Sequence, residues 1–281
     1  MKNILVATDL SEASYRAIER ARRIAVGRDA ALRIVYVAPR ALDAEAAVLI
    51  EDELTDRVTE RSAMSGETVG HLSIRVRSGP AAAAILEEAK IDSADLIVLG
   101  NHGEARLRDA IFGTTASHVA QHSPVPVLVA QTDPEQRYRR VMTAVDDDML
   151  ETVLDGAAAL VSAEELYVVH AHVPTLQSVF AGGDPMDELR QDHEANVRAV
   201  VDRVSRSRLE GDSSPRVHCI TEDDEPVDVI MKEWDAIRPD LLVVGTHGRS
   251  GIAKLLRASV AETVLLGCPS DVLVIPGRSA G

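Results

Sequence analysis

Short apolar runs closed by a polar or small residue recur along the chain, and the stretches between them carry apolar positions at helical spacing. Lys2 to Thr8 is the first such run and stops at Asp9. Ser11-Glu12-Ala13-Ser14 then has the wording of a capped helix start, and the pattern predicts a helix through about Val26. Ala31 to Val37 is a β-branched strand ending at Pro39, and the Ala- and Glu-rich stretch from about Leu42 to Met64 reads as the next helix. His71 to Val76 predicts a third strand. Gly79-Pro80 punctuates the chain, and Ala81 to Ala89 follows as a helix with Ile85, Leu86 and Ala89 as its apolar stripe. Asp95 to Leu99 is a nearly continuous apolar run ending at Gly100, the pattern of a strand buried on both faces of a parallel sheet. Thr115 to Gln121 is helical in composition. Val125 to Ala130 closes the series as a fifth strand, with Pro126 suggesting an edge.

The series then repeats. Val141 to Val145 ends at Asp146, and Glu165 to Ala171, Val217 to Ile220, Asp240 to Val244 and Val272 to Ile275 follow as strands, with a helix over Pro226 to Trp234. Strands alternating with helices predict βαβ units and a parallel sheet. Leu99-Gly100-Asn101-His102-Gly103 and Val244-Gly245-Thr246-His247-Gly248 lie 145 positions apart. In a chain of 281 residues that period predicts two α/β domains, 1–133 and 138–278, each with a five-stranded parallel sheet flanked by helices. Thr132 to Gln136, polar and proline-marked, reads as the linker, and Ala181 to Asp187 and Glu210 to Pro215 as surface loops.

A formal charge of −15 and 2% aromatic residues argue against nucleic acid and anionic membranes as partners. No apolar run approaches the roughly 18 residues of a spanning helix, and Asp9 interrupts the first run before a signal-peptide core forms. The expectation is a cytoplasmic protein. Cys219 and Cys268 have no CxxC spacing, so neither a disulfide framework nor a zinc knuckle is indicated.

The candidate chemistry lies in the repeated glycines. Gly100, Gly103 and Gly113 are separated by two and nine residues, and Thr114 follows. Glycines so placed suit a tight bend after a strand and close approach to the backbone, and free N–H groups at such a turn and at a helix N-terminus favour an anion. A phosphate is the natural guest. In the second half the same count runs from Gly245 and Gly248 to Ala258 and Ser259, so alanine stands where the first copy has glycine. Either a positive φ is strained there or a methyl group points at the anion.

Val6-Ala7-Thr8-Asp9-Leu10-Ser11, Ile34 to Val37, Leu99 to Gly103, Gly113-Thr114 and His122 to Val129 together resemble the universal stress protein family, and Gly245 to Gly251 repeats its wording. The resemblance covers nearly the whole chain, as in the family's tandem members. It implies two Rossmann-like domains of the adenine nucleotide alpha hydrolase-like type, with an ATP site at the carboxyl ends of the strands. It further implies that Ala7, Thr8 and Asp9 lie near adenine, ribose or a Mg²⁺ ion, and that Val37 offers backbone groups to adenine. Gly100, His102 and Gly103 would flank ribose and phosphate, while Gly113, Thr114, Thr115 and Ala116 would hold the phosphates. The second-half counterparts are Asp146, Ala171, Gly245, Gly248, Ser259 and Val260. An internal pseudo-dimer through the two fifth strands is a further implication, with a homodimer of chains also open.

Other readings remain. Asp9 and Asp146 are also ordinary turn residues and helix caps, and Asp146-Asp147-Asp148 is either a magnesium site or a solvated cap. His170 and His172 share a strand face, as zinc ligands or core histidines do. Arg106, Arg108, Arg249, Lys254 and Arg257 are phosphate contacts or solvated charges. With no P-loop and no evident catalytic base, the expectation is a nucleotide-dependent sensor or regulator. A weak ATPase or autophosphorylating enzyme, and a scaffold with a vestigial site, are the alternatives.

Overall fold

The computed structural model describes residues 1–101, 114–145, 149–161, 163–171, 185–208, 215–222, 224–246 and 269–277. The chain divides into two units, Met1–Gln136 and Arg137–Gly281. In unit one the elements are β1 (Asn3–Thr8), α1 (Glu12–Arg28), β2 (Ala31–Ala38), α2 (Ala44–Ser65), β3 (Leu72–Ser78), α3 (Ala81–Ile91), β4 (Leu96–Gly100), α4 (Thr114–His122) and β5 (Val127–Ala130). The five strands are parallel in the order β3-β2-β1-β4-β5. Consecutive strands β1, β2 and β3 step one way from β1, while β4 and β5 step the other, so the order reverses between β1 and β4.

Burial explains which runs announced themselves. Ile4, Leu5 and Val6 of β1 and Leu96, Ile97 and Val98 of β4 are covered on both faces, which is why their sequences are continuously apolar. The outer strand β3 is half-buried and alternates, Leu-Ser-Ile-Arg-Val-Arg-Ser. α1 begins where Ser11 accepts the Ser14 N–H, and it runs past Gly27 to end at Asp29, whose left-handed φ of 49° lets its N–H reach the Ala25 and Val26 carbonyls. Asp43 caps α2 by accepting from Ala46 N at 2.8 Å. β5 begins at Val127, one residue after Pro126, whose carbonyl accepts from Ile97 N, so the ring does not interrupt the ladder.

Unit two contains β6 (Arg140–Ala144), α5 (Leu150–Leu160), β7 (Glu165–Ala171), α6 (Pro185–Arg208), β8 (Arg216–Glu222), α7 (Pro226–Ile237), β9 (Leu241–Gly245) and β10 (Asp271–Ile275). Its strands are parallel in the corresponding order, β8-β7-β6-β9-β10. Two helices here go beyond the sequence reading. α5 contains Gly156, a poor helix residue, because a Cβ there would sit 2.6 Å from Ile275 Cδ1 of β10. α6 takes in Pro185 to Asp187, which were expected in a loop; proline is tolerated in a first helical turn, where its missing N–H costs no hydrogen bond. Residues 181–184 and 209–214 lie outside the described residues.

The 145-residue period also governs how each sheet is tied at its amino end. Asp95, just before β4, accepts the backbone N–H groups of Lys2 and Asn3 at 2.5 and 3.0 Å. Asp240, just before β9, accepts those of Arg139 and Arg140 at 2.9 and 2.8 Å. Each carboxylate fixes the register of the central strand against its neighbour. Burial works to raise the pKa of Asp95, but the two backbone donors and the N-terminal ammonium outweigh it and hold the carboxyl below the usual range.

The stretch read as a linker is bound into unit one. Arg20 of α1, 4% exposed, donates to the carbonyls of Asp133, Pro134 and Gln136 at 2.7, 3.0 and 2.7 Å and to Thr132 Oγ1 at 3.0 Å. A second buried polar cluster lies under α3, where Glu88 and Asp92 are covered by Arg33, Arg75 and Arg77 of β2 and β3. Arg33 Nη1 meets Asp92 Oδ1 at 2.6 Å, Arg77 Nε meets Glu88 Oε1 at 2.5 Å, and Arg75 reaches both carboxylates at 3.4 Å.

Candidate functional site

The reversal of strand order between β1 and β4 leaves a crevice at their carboxyl ends, and the βα turn after β1 borders it. Thr8, buried, ends β1; Asp9 is exposed; Leu10 has a left-handed φ of 67°. That conformation is costly for a branched side chain and is held by a chain of hydrogen bonds. Leu10 N donates to Thr8 Oγ1 at 3.0 Å, and Ser14 Oγ donates to the Ser11 carbonyl at 2.9 Å. Thr8 Oγ1 and Ser14 Oγ are 2.8 Å apart. Because the Ser14 proton goes to Ser11, the proton between the two hydroxyls comes from Thr8. Each hydroxyl thus accepts once and donates once within the turn. Asp9 accepts the Ser11 N–H on Oδ1 at 3.1 Å, so it is a turn residue, and it is also exposed at the crevice.

Gly100 packs against the same node. A Cβ on it would lie 2.9 Å from the carbonyl carbon and oxygen of Ala13 and 3.0 Å from Ser14 N, all backbone atoms of the first turn of α1. Its φ is not positive. The glycine is therefore needed for clearance between β4 and α1, a packing requirement independent of any ligand. Asn101 follows at the strand end, and its Nδ2 donates to Gln131 Oε1 just past β5. In unit two the corresponding closure uses Thr246, whose N–H donates to the Ile275 carbonyl at 2.9 Å and whose Oγ1 accepts Gly277 N at 3.0 Å. Ser14, Asn101 and Gln131 were not singled out from the sequence; the Ser11-x-x-Ser14 cap spacing was the one available signal for the first.

On the other side of β1, Val37 is half-buried near the end of β2 and is in register with Arg77. Gly79, with φ of 119°, donates its N–H to the Ala38 carbonyl at 3.0 Å and turns the chain into α3. Thr114, Thr115 and Ala116 form the first turn of α4, whose N–H groups have no intrahelical acceptors. A helix that follows β4 and returns to the parallel β5 starts at the carboxyl end of the sheet, so the topology puts this turn on the crevice side. The described candidate residues of unit one, Ala7, Thr8, Asp9, Val37, Gly100, Thr114, Thr115 and Ala116, thus gather at one end of the sheet. His102, Gly103 and Gly113 lie outside the described residues, as do Arg106 and Arg108.

In unit two, Ala171 ends β7, buried, and Gly245 ends β9. A Cβ on Gly245 would meet the side chains of Met149 and Val153 at 3.0 and 3.2 Å. Asp146, Asp147, Asp148, His172, Gly248, Arg249, Lys254, Arg257, Ala258, Ser259 and Val260 lie outside the described residues. His170 turns Nδ1 to the Val145 carbonyl at 3.2 Å and packs its ring on His193 with centroids 4.5 Å apart. No cluster of three or more His, Cys, Asp or Glu side chains suited to a metal occurs among the described residues. A groove of about 750 Å³ runs along α1, α2 and residues 133–135, and none of the predicted site residues lines it.

The model of the universal stress protein family matches residues 1–131 and again 137–276. The chain belongs to the universal stress protein family. A universal stress protein of Mycolicibacterium smegmatis is 25% identical over 98% of this chain and 97% of its own length. One from Mycobacterium tuberculosis is 31% identical over 47% of this chain and 97% of its own. The crystal structure of a universal stress protein from Archaeoglobus fulgidus, 18% identical, superposes over 99% of this chain and 97% of its own with a TM-score of 0.66, a likeness of fold. The tandem arrangement of two universal stress protein domains, each with a five-stranded parallel sheet, is therefore a property of the chain. Among the described residues no helix is long and apolar enough to cross a membrane.

Proposed function

We propose that this universal stress protein binds an adenine nucleotide, ATP with Mg²⁺, in unit one and acts as a nucleotide-dependent sensor or regulator. The observation that carries this reading is the attachment of the complete Gly-x₂-Gly-x₉-Gly-Thr spacing to the end of β4 at one side and the first turn of α4 at the other. The preset Thr8-Asp9-Leu10 turn stands across the same crevice. Helix N-terminal N–H groups and glycine N–H groups suit phosphate oxygens, and the exposed Asp9 carboxylate suits a Mg²⁺ ion carried in by the phosphates, since that ion takes one or two protein carboxylates. Val37 backbone groups would face the base. In unit two Ala258 replaces the third glycine, so its site is the weaker.

Calorimetric titration of the full chain with ATP·Mg, ADP, AMP and cyclic AMP tests the reading. One strong ATP site per chain is expected. The reading fails if none of these nucleotides produces binding heat, and its choice of nucleotide fails if cyclic AMP binds in preference to ATP.

A further inference from the structure

We propose that the last two turns of α4 carry a two-histidine site for a divalent transition cation of the Zn²⁺ and Cu²⁺ class. His118 and His122 are four residues apart on one helix face, both exposed, with ring centroids 4.2 Å apart and planes inclined by 19°. Residues at this spacing are surface neighbours on a helix, and a pair of imidazoles so placed is a chelating unit.

The protonation pattern suits this role. His122 Nδ1 lies 2.9 Å from the His118 carbonyl oxygen, which can only accept, so Nδ1 carries the proton and the lone pair of the neutral ring is on Nε2. Fixing one ring nitrogen as donor to a backbone carbonyl is the usual support for a metal-ligating histidine. The His118 ring is stacked against it and open to solvent. A cation held at about 2.0–2.1 Å from both nitrogens needs them about 3.3 Å apart with their lone pairs converging, so binding requires the exposed His118 ring to swing out of the stack, a rotamer change open to a solvent-facing side chain. The position adds an electrostatic contribution. His122 is the final residue of α4, where the unpaired carbonyls of the helix end favour positive charge.

The ligand set selects the metal. Imidazole nitrogen suits Zn²⁺ and Cu²⁺, whereas Mg²⁺ and Ca²⁺ take oxygen ligands. With no third protein ligand among the described residues, water completes the coordination and the site is open and exchangeable. It lies at the opposite end of α4 from Thr114 and Thr115 and is independent of the nucleotide reading.

The test uses the full chain, with ZnCl₂ and MgCl₂ as probes and the imidazole carbon-bound proton signals of His118 and His122 in NMR as the readout. With Zn²⁺ the two signals are expected to shift in step with one midpoint, and Mg²⁺ leaves both in place. In His118→Gln, the His122 response is expected to move to at least about tenfold higher Zn²⁺, as chelation is replaced by a single ligand; His122→Gln does the same to His118. Circular dichroism confirms that both variants keep the helix, since glutamine is a good helix residue. Different midpoints in the wild type, or an unchanged midpoint for the remaining histidine in either variant, overturns the site.

Discussion

Replacing Gly100 by alanine introduces one methyl group at the point where β4 passes under α1. The new Cβ would lie 2.9 Å from the Ala13 carbonyl carbon and oxygen and 3.0 Å from Ser14 N. These are backbone atoms of a capped first turn, so relief requires α1 to retreat by several tenths of an ångström. That movement pulls Ser14 from its hydroxyl partner Thr8. Overpacking of this kind costs about 1–3 kcal/mol, or a fall of about 4–12 °C in the melting temperature of a unit of this size. The repeat supplies the control. In Gly245→Ala the nearest atoms are the flexible end of Met149 at 3.0 Å and a methyl of Val153 at 3.2 Å, so the cost is expected below about 1 kcal/mol. Differential scanning calorimetry of the full chain, fitted as two transitions because two units need not unfold together, reads both. If Gly245→Ala is as destabilising as Gly100→Ala, the clearance argument is refuted.

Three other outcomes follow from the polar anchors. Asp95 is held below its unfolded pKa by the Lys2 and Asn3 N–H groups against the opposing effect of burial, so its contribution is present above the unfolded value of about 4 and is lost as pH falls through the folded one. Urea unfolding should therefore show Asp95→Asn less stable than wild type at pH 7, with the gap narrowing as pH falls below about 4; a gap that does not narrow on acidification contradicts the assignment. Glu88→Gln leaves Arg75 and Arg77 facing a neutral group beneath α3 and is expected to cost about 1–3 kcal/mol in the same assay, against a null result if the pairs are merely superficial. Arg20→Met removes the donors that hold residues 132–136, and limited proteolysis should cut there faster than in wild type; an unchanged cleavage rate would show that the segment is held by other contacts.

Legibility followed burial. β1, β4, β6 and β9 are covered on both faces, so they read as plain apolar runs, and the parallel sheet followed from their alternation with helices, whereas the order of the strands needed the structure. α5 was harder because Gly156, which serves the Ile275 contact, looks like a helix breaker. The start of α6 was hidden by Ala-Gly-Gly-Asp-Pro, whose proline belongs to the helix. At the candidate site, the spacing of glycines marked the end of β4 and the start of α4 but not the reason for Gly100, because clearance against Ala13 is a contact across about ninety residues. The same holds for Arg20, whose partners on residues 132–136 are backbone carbonyls that no side-chain pattern encodes. Asp95 and Asp240 were legible as strand starts, whereas their grip on the neighbouring strand needed the register.

The central claim is that one of two related halves holds the nucleotide, and calorimetric stoichiometry with ATP·Mg tests it most directly. Wild type is expected to bind one equivalent strongly per chain. Gly113→Asp, which sets a negative side chain where the motif places the phosphates, should abolish that event, while Ala258→Asp in the second copy should leave it intact. Two equal strong sites in the wild type, or unchanged strong binding in Gly113→Asp, would contradict the account.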